Sequence, residues 1–282
     1  MEKILVPTDF SNNSKSGLRF AIRLAARNKS TLVFVHTTQI KRELKEADEA
    51  EFEKHKQEQI EKKRDKLQRF IQGVYRSLKM DEGEYTCEII EGIKADVSLI
   101  DYCKKYSDIA FIVISTRGAS FVNKVLGTNT GNLITKSPVP VIAVPKDYRS
   151  KPLRNVLYST DLENLQREFD TVLEFAKPRG LSVEVLHFAT PSSLDHQNEL
   201  NNLELTAGYP VKIWKEKADI NHSMIHNLQL QIDKIKPSMV ALFTNQQRTF
   251  FEKLFLSSMA EALSFKSQVP LLVFNKQVNF KN

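Results

Sequence analysis

The segment from Ile109 to Val144 recurs in altered form from Met239 onward, and this duplication restricts the chain to a tandem of one α/β unit. In the first copy the apolar, β-branched run Ile109–Ile114 reads as a strand buried on both faces, as in a parallel sheet. It stops at Ser115-Thr116-Arg117-Gly118, and Gly127-Thr128 then opens a helix. The glycines allow close backbone approach, and the free amides at a helix start favour a phosphate, so the loop is a candidate anion cradle. The same glycines also suit any tight strand-to-helix connection. In the second copy Val240–Phe243 is the strand, Thr244–Gln247 the turn, Ser257-Ser258 the helix start and Val269–Phe274 the last strand. The offset from Thr128 to Pro140 equals that from Ser258 to Pro270. The opening strands match as well, Lys3–Phe10 with Asn155–Leu162.

A chain of 282 residues has room for two such units, each with its own core. At 41% hydrophobic and 27% charged residues it reads as an ordinary globular protein. No apolar run approaches the roughly 20 residues of a membrane span, and Met1-Glu2-Lys3-Ile4 leads straight into a strand; a cytoplasmic protein is expected. Cys87 and Cys103 lack a partner motif and are expected to be buried thiols. The net charge of +7 is spread through both units among glutamates, and no nucleic-acid-binding module is present, so nucleic acid is not an expected partner.

Taken in order, Lys3–Pro7 reads as a strand and Lys15–Arg27 as an amphipathic helix. Asp9 falls at the strand's carboxyl end, where open parallel sheets bind ligands; it suits a nucleoside contact or a helix cap. Thr31–His36 is the second strand, and the charged segment 41–79 reads as one long helix whose C-terminal half packs on the sheet. Tyr85–Ile90 is the third strand, Ala95–Tyr106 a helix and Val139–Pro145 the fifth strand. A charged linker with Pro152 separates a first domain, 1–147, from a second, 153–282. The second reads as strand 154–159, helix 164–177, strand 182–188, helix 197–206, strand 211–215 and helix 221–235, before the strand from Met239. His36 and His187 occupy equivalent strand ends without clustered Cys, Asp or Glu, so no metal site is expected. Without a Gly-x-Ser-x-Gly elbow or a Walker-type loop, the chain shows no residues for enzyme chemistry and no enzymatic activity is expected.

The opening Ile4-Leu5-Val6-Pro7-Thr8-Asp9-Phe10-Ser11, the fourth-strand loop and Pro138–Val144 together resemble the universal stress protein family in its tandem two-domain form. The resemblance implies two doubly wound, Rossmann-like α/β domains with five-stranded parallel sheets of order 3-2-1-4-5. It implies a stress-response role and, in ATP-binding members, Gly-x-x-Gly, nine residues, then Gly-Ser/Thr. Asp9 then contacts the nucleoside, and Gly118, Gly127 and Thr128 hold phosphate in the first domain. Ser115 replaces the first glycine, either crowding the ligand or donating a hydrogen bond to it, and only eight residues separate Gly118 from Gly127. In the second unit Thr244, Gln247, Ser257 and Ser258 take the motif positions, so it is expected to bind no ATP although Asp161 remains. The resemblance further implies that fifth strands pair across a twofold axis, here as an internal pseudo-dimer, with a homodimer of whole chains as a further partner. The alternative is a nucleotide-free scaffold of the same fold.

Overall fold

The computed structural model describes residues 2–42, 48–116, 128–149, 151–189, 197–244 and 269–275. Its strands are β1 (Lys3–Pro7), β2 (Thr31–Thr38), β3 (Tyr85–Glu91), β4 (Ile109–Thr116) and β5 (Val141–Pro145), then β6 (Asn155–Thr160), β7 (Ser182–Ala189), β8 (Val211–Lys217), β9 (Met239–Thr244) and β10 (Leu271–Asn275). They form one sheet in the order β3-β2-β1-β4-β5-β10-β9-β6-β7-β8, so each half has the doubly wound 3-2-1-4-5 arrangement. Within each half neighbouring strands run parallel. At the centre β5 and β10 run antiparallel, with Leu271 opposite Ala143, Leu272 opposite Ile142 and Val273 opposite Val141.

The helices are α1 (Lys15–Asn28), α2 (Glu49–Leu78), α3 (Ala95–Lys105), α4 (Thr128–Lys136), α5 (Leu165–Ala176), α6 (Gln197–Thr206) and α7 (Met224–Ile235). Strand side chains alternate between faces, so Ile4 and Val6 point one way and Leu5 the other. One core packs Phe34, Phe111, Tyr158 and Leu272 under α1, α2, α5 and α6. The other packs Leu5, Ile112, Leu157 and Val273 under α3, α4 and α7. Both cores draw on both halves of the chain, so neither stops at β5 and β10.

The long helix starts at Glu49 rather than at residue 41. Asp48 is extended and its carboxylate accepts the Glu51 amide at 2.9 Å, a side-chain cap that fixes the first turn. Likewise α7 starts at Met224 rather than 221, because Ser223 accepts the His226 amide at 3.2 Å. Along α2, Lys56 pairs with Glu91 at the carboxyl end of β3 (3.0 Å), whereas Tyr75 stacks on Tyr85 at its start (5.8 Å). The helix therefore runs antiparallel to β3. Residues 49–55, about 10 Å of helix, stand beyond the edge where ligands bind in such sheets. In the second half α6 has only 10 residues.

A buried arginine joins the two halves. The Arg179 side chain is 1% exposed; it pairs with Glu2, donates to the Phe175 carbonyl at 2.8 Å and lies over the Phe175 ring (4.3 Å) and the Phe111 ring (5.1 Å). The Arg179 carbonyl accepts from Arg27 Nε at 2.8 Å, while Glu2 also accepts from Asn28 and Ser30. Burial pushes the Glu2 carboxyl up, but the Arg179 charge and these hydrogen bonds outweigh it and hold its pKa below 4.5. A carboxyl depressed on folding stabilises above its unfolded pKa, and that stabilisation is lost as pH falls through the folded value. Urea unfolding of Arg179→Met at pH 7 is expected to show a loss of about 1–3 kcal/mol, at the low end because Glu2 reaches water. The gap from wild type should narrow as the pH drops below 4.5.

Candidate functional site

Both halves turn from their first strand into their first helix through the same tripeptide geometry. Phe10 and Leu162 adopt left-handed backbone conformations, φ 63° and 71°, which bulky residues avoid unless their surroundings enforce them. The enforcement is local and duplicated. Thr8 Oγ1 accepts the Phe10 amide (3.1 Å) and Thr160 Oγ1 the Leu162 amide (3.0 Å). Asp9 Oδ1 accepts the Ser11 amide (2.9 Å) and Asp161 Oδ1 the Glu163 amide (3.1 Å). His36 Nδ1 lies 2.9 Å from the Thr8 carbonyl and His187 Nδ1 3.3 Å from the Thr160 carbonyl. The paired histidines thus fasten the turns, and no group of metal-binding side chains occurs among the described residues. Asp9 is exposed at the carboxyl end of β1, between β2 and β4, where the strand order reverses.

On the other side of Asp9, Ser115 is half-buried two residues beyond the buried part of β4, and its hydroxyl turns toward α1. It donates to the Ser14 carbonyl (2.9 Å) and accepts from the Gly17 amide (2.7 Å) and the Ser16 hydroxyl (3.0 Å). These contacts use the donor and both lone pairs of the hydroxyl. Gly118 and Gly127 lie outside the described residues; Thr128 is the first residue of α4, which brings its start to the same edge. Strand register places Phe243, rather than Thr244, at the position of Ser115, because Ser115 pairs with Val144 and Phe243 with Phe274 while Val141 and Leu271 correspond. Phe243 stacks on Phe274 (4.7 Å) and meets Tyr158 edge-on (5.7 Å), and the Tyr158 hydroxyl donates to Glu168 (2.7 Å). Aromatic rings in the second half occupy what Val6, Ser115 and Val144 line in the first. That difference sits in a loop-proximal register that residue spacing alone misassigns by one place.

The flank toward β2 is aromatic and cationic. The Phe10 ring lies 4.4 Å from His36 and meets Phe70 of α2 edge-on at 5.6 Å. Lys66 Nζ sits 4.6 Å from the Phe10 centroid and Lys15 Nζ 5.4 Å from that of Phe70. The His36 pKa falls below 6.5, first through burial and further through Lys63 and Lys66, against the opposing pull of the Thr8 carbonyl and Asp9. Burial holds both thiols in the protonated form, pushing Cys87, which is only half-buried, up to about 11 and Cys103 up to about 12.

Gly17 is required by the β4–α1 approach. A Cβ there would lie 2.7 Å from Ser115 Oγ and 2.9 Å from the Ser115 backbone nitrogen. Alanine gains about 1 kcal/mol of helix propensity, but a clash with backbone cannot be relieved by a rotamer change. Gly17→Ala is expected to lower stability by about 1–3 kcal/mol net in thermal or urea unfolding, with only partial rescue by Ser115→Gly.

Residues 1–145 match the universal stress protein family. The fold is similar to that of a universal stress protein from Archaeoglobus fulgidus, with TM-score 0.69 and 17% identity over 97% of this chain and 98% of that one. It is also similar to a putative universal stress protein from Pseudomonas aeruginosa, with TM-score 0.58 and 12% identity over 98% and 93% of the two chains. No curated protein sequence matches the chain. With the family match spanning half of the sequence and the doubly wound order in place, the chain belongs to the universal stress protein family.

Proposed function

We propose that the protein acts in the stress response by holding an adenine nucleotide, ATP or a relative, across the carboxyl ends of β1 and β4 in its first half. Asp9 faces the nucleoside, and the start of α4 at Thr128, with Gly118 and Gly127 in the preceding loop, receives the phosphates. The observation that carries this reading is the exposed Asp9 carboxylate at the reversal point of the strand order, with a helix start on the same edge. Ser115 serves as a strut between β4 and α1 in this arrangement, since its hydroxyl is taken up by Ser14, Ser16 and Gly17. The second half binds no nucleotide, its edge being filled by Tyr158, Phe243 and Phe274. The protein performs no chemistry on the ligand; nucleotide state is the signal. No helix among the described residues is long and apolar enough to cross a membrane, and we place the protein in the cytoplasm, with a homodimer as a further assembly.

The second reading is a nucleotide-free scaffold. The same Ser115 contacts favour it, because a side chain stands where ATP-binding members keep a glycine. Isothermal titration of nucleotide-stripped protein with ATP separates the two. Binding is expected at one site per chain, and Asp9→Ala should weaken it about tenfold or more, the loss of one or two hydrogen bonds to a charged group. Absence of heat and of any co-purifying nucleotide would favour the scaffold.

A further inference from the structure

Asp9 has two flanks. In the sheet order β1 lies between β4, which leads toward α4, and β2, whose carboxyl end faces α2. A nucleotide placed with its phosphates on the α4 side and its ribose at Asp9 directs its ribose hydroxyls or base toward the β2 side. That flank is built from Lys15, Lys63 and Lys66 around the His36–Phe10–Phe70 cluster.

The lysines there differ from their neighbours. Further along α2, Lys56 is neutralised by Glu91 at 3.0 Å and Glu53 at 3.5 Å. Among the described residues no carboxylate lies within ion-pair distance of Lys15 or Lys66, which rest on aromatic faces, or of Lys63. An aromatic face neutralises an ammonium only partly, so this flank keeps positive charge. His36, half-buried in the same cluster, feels that charge. Among the described residues the feature has no counterpart in the second half, because it requires the middle of the 30-residue α2, and α6 is 10 residues long. Both rings that carry the lysines belong to structural devices, Phe10 to the left-handed turn beside Asp9 and Phe70 to the packed part of α2.

From this juxtaposition we infer that Lys15, Lys63 and Lys66 form a second anion subsite on the nucleoside side of Asp9, so that the ligand is an adenine nucleotide phosphorylated at both its 5′ and its ribose 3′ position. The inference rests on nucleotide binding at Asp9 as proposed above. It places one phosphate at the α4 start and one at the lysines, with Asp9 accepting from the remaining ribose hydroxyl.

The test compares adenosine 3′,5′-bisphosphate with adenosine 5′-monophosphate by isothermal titration on the full chain. The bisphosphate should bind about tenfold more tightly, with the preference shrinking as salt is raised, since partly exposed charges are screened. In the triple variant Lys15→Gln/Lys63→Gln/Lys66→Gln the ratio of the two affinities should collapse toward one; an unchanged circular-dichroism melt confirms that the fold is retained. Equal affinity of the wild type for the two ligands overturns the subsite and leaves nucleotide binding at Asp9 standing. A preference that survives in the triple variant overturns the assignment to these lysines. Binding of neither ligand overturns both the subsite and the reading on which it rests.

Discussion

Val141–Ala143 and Leu271–Val273 exchange backbone hydrogen bonds at the middle of the sheet, and the rest of the molecule is arranged around that antiparallel pair. Each half is a parallel sheet whose fifth strand is apolar and would otherwise present an unpaired edge. Joining the two edges removes both liabilities. It also aligns the inward-facing side chains of the two halves, so that one core runs beneath α1, α2, α5 and α6 and another beneath α3, α4 and α7. The Arg179–Glu2 pair then fastens the halves near the amino ends of the strands, where α1 meets the segment before β7. Its buried charge meets a carboxylate, a carbonyl and two aromatic faces, which offset the cost of burying an arginine there, while Nε has no hydrogen-bond partner among the described residues.

With the amino edges tied together, the carboxyl edges are left to diverge. The turn after β1 and the turn after β6 share their threonine, their aspartate, their left-handed residue and their histidine support. Beyond these turns the halves part company. The first keeps a serine strut at Ser115 and a long helix carrying lysines; the second fills the corresponding volume with Tyr158, Phe243 and Phe274. A duplicated fold thus carries different side chains along its two carboxyl edges without altering the turn that follows each first strand.

Much of this was legible from residue order. The parallel strands announced themselves as β-branched runs, since a strand covered on both faces has no polar positions to interrupt it. The order 3-2-1-4-5 followed from the family resemblance, and Asp9 could be placed at the carboxyl end of the first strand because it stands two residues beyond that strand. The start of α2 was misread by eight residues, from 41 to Glu49, because the charged pattern continues through the segment and only the Asp48 carboxylate decides where the helix begins. Ser115 was recognised as a departure from the glycine motif, but its role was not readable: the partner of its hydroxyl is 98 residues away at Gly17, a separation at which spacing carries no information.

Residue sequence by itself determined the duplicated α/β unit, the strand and helix inventory and the place of Asp9 at a strand end, because those depend on local periodicity and short-range turn chemistry. Tertiary structure alone decided three things: the β5–β10 register, the burial of Arg179 against Glu2, and the gathering of Lys15 and Lys66 around Phe10 and Phe70. Each depends on groups far apart in the chain, whose contact is fixed only when the sheet brings them to a common edge.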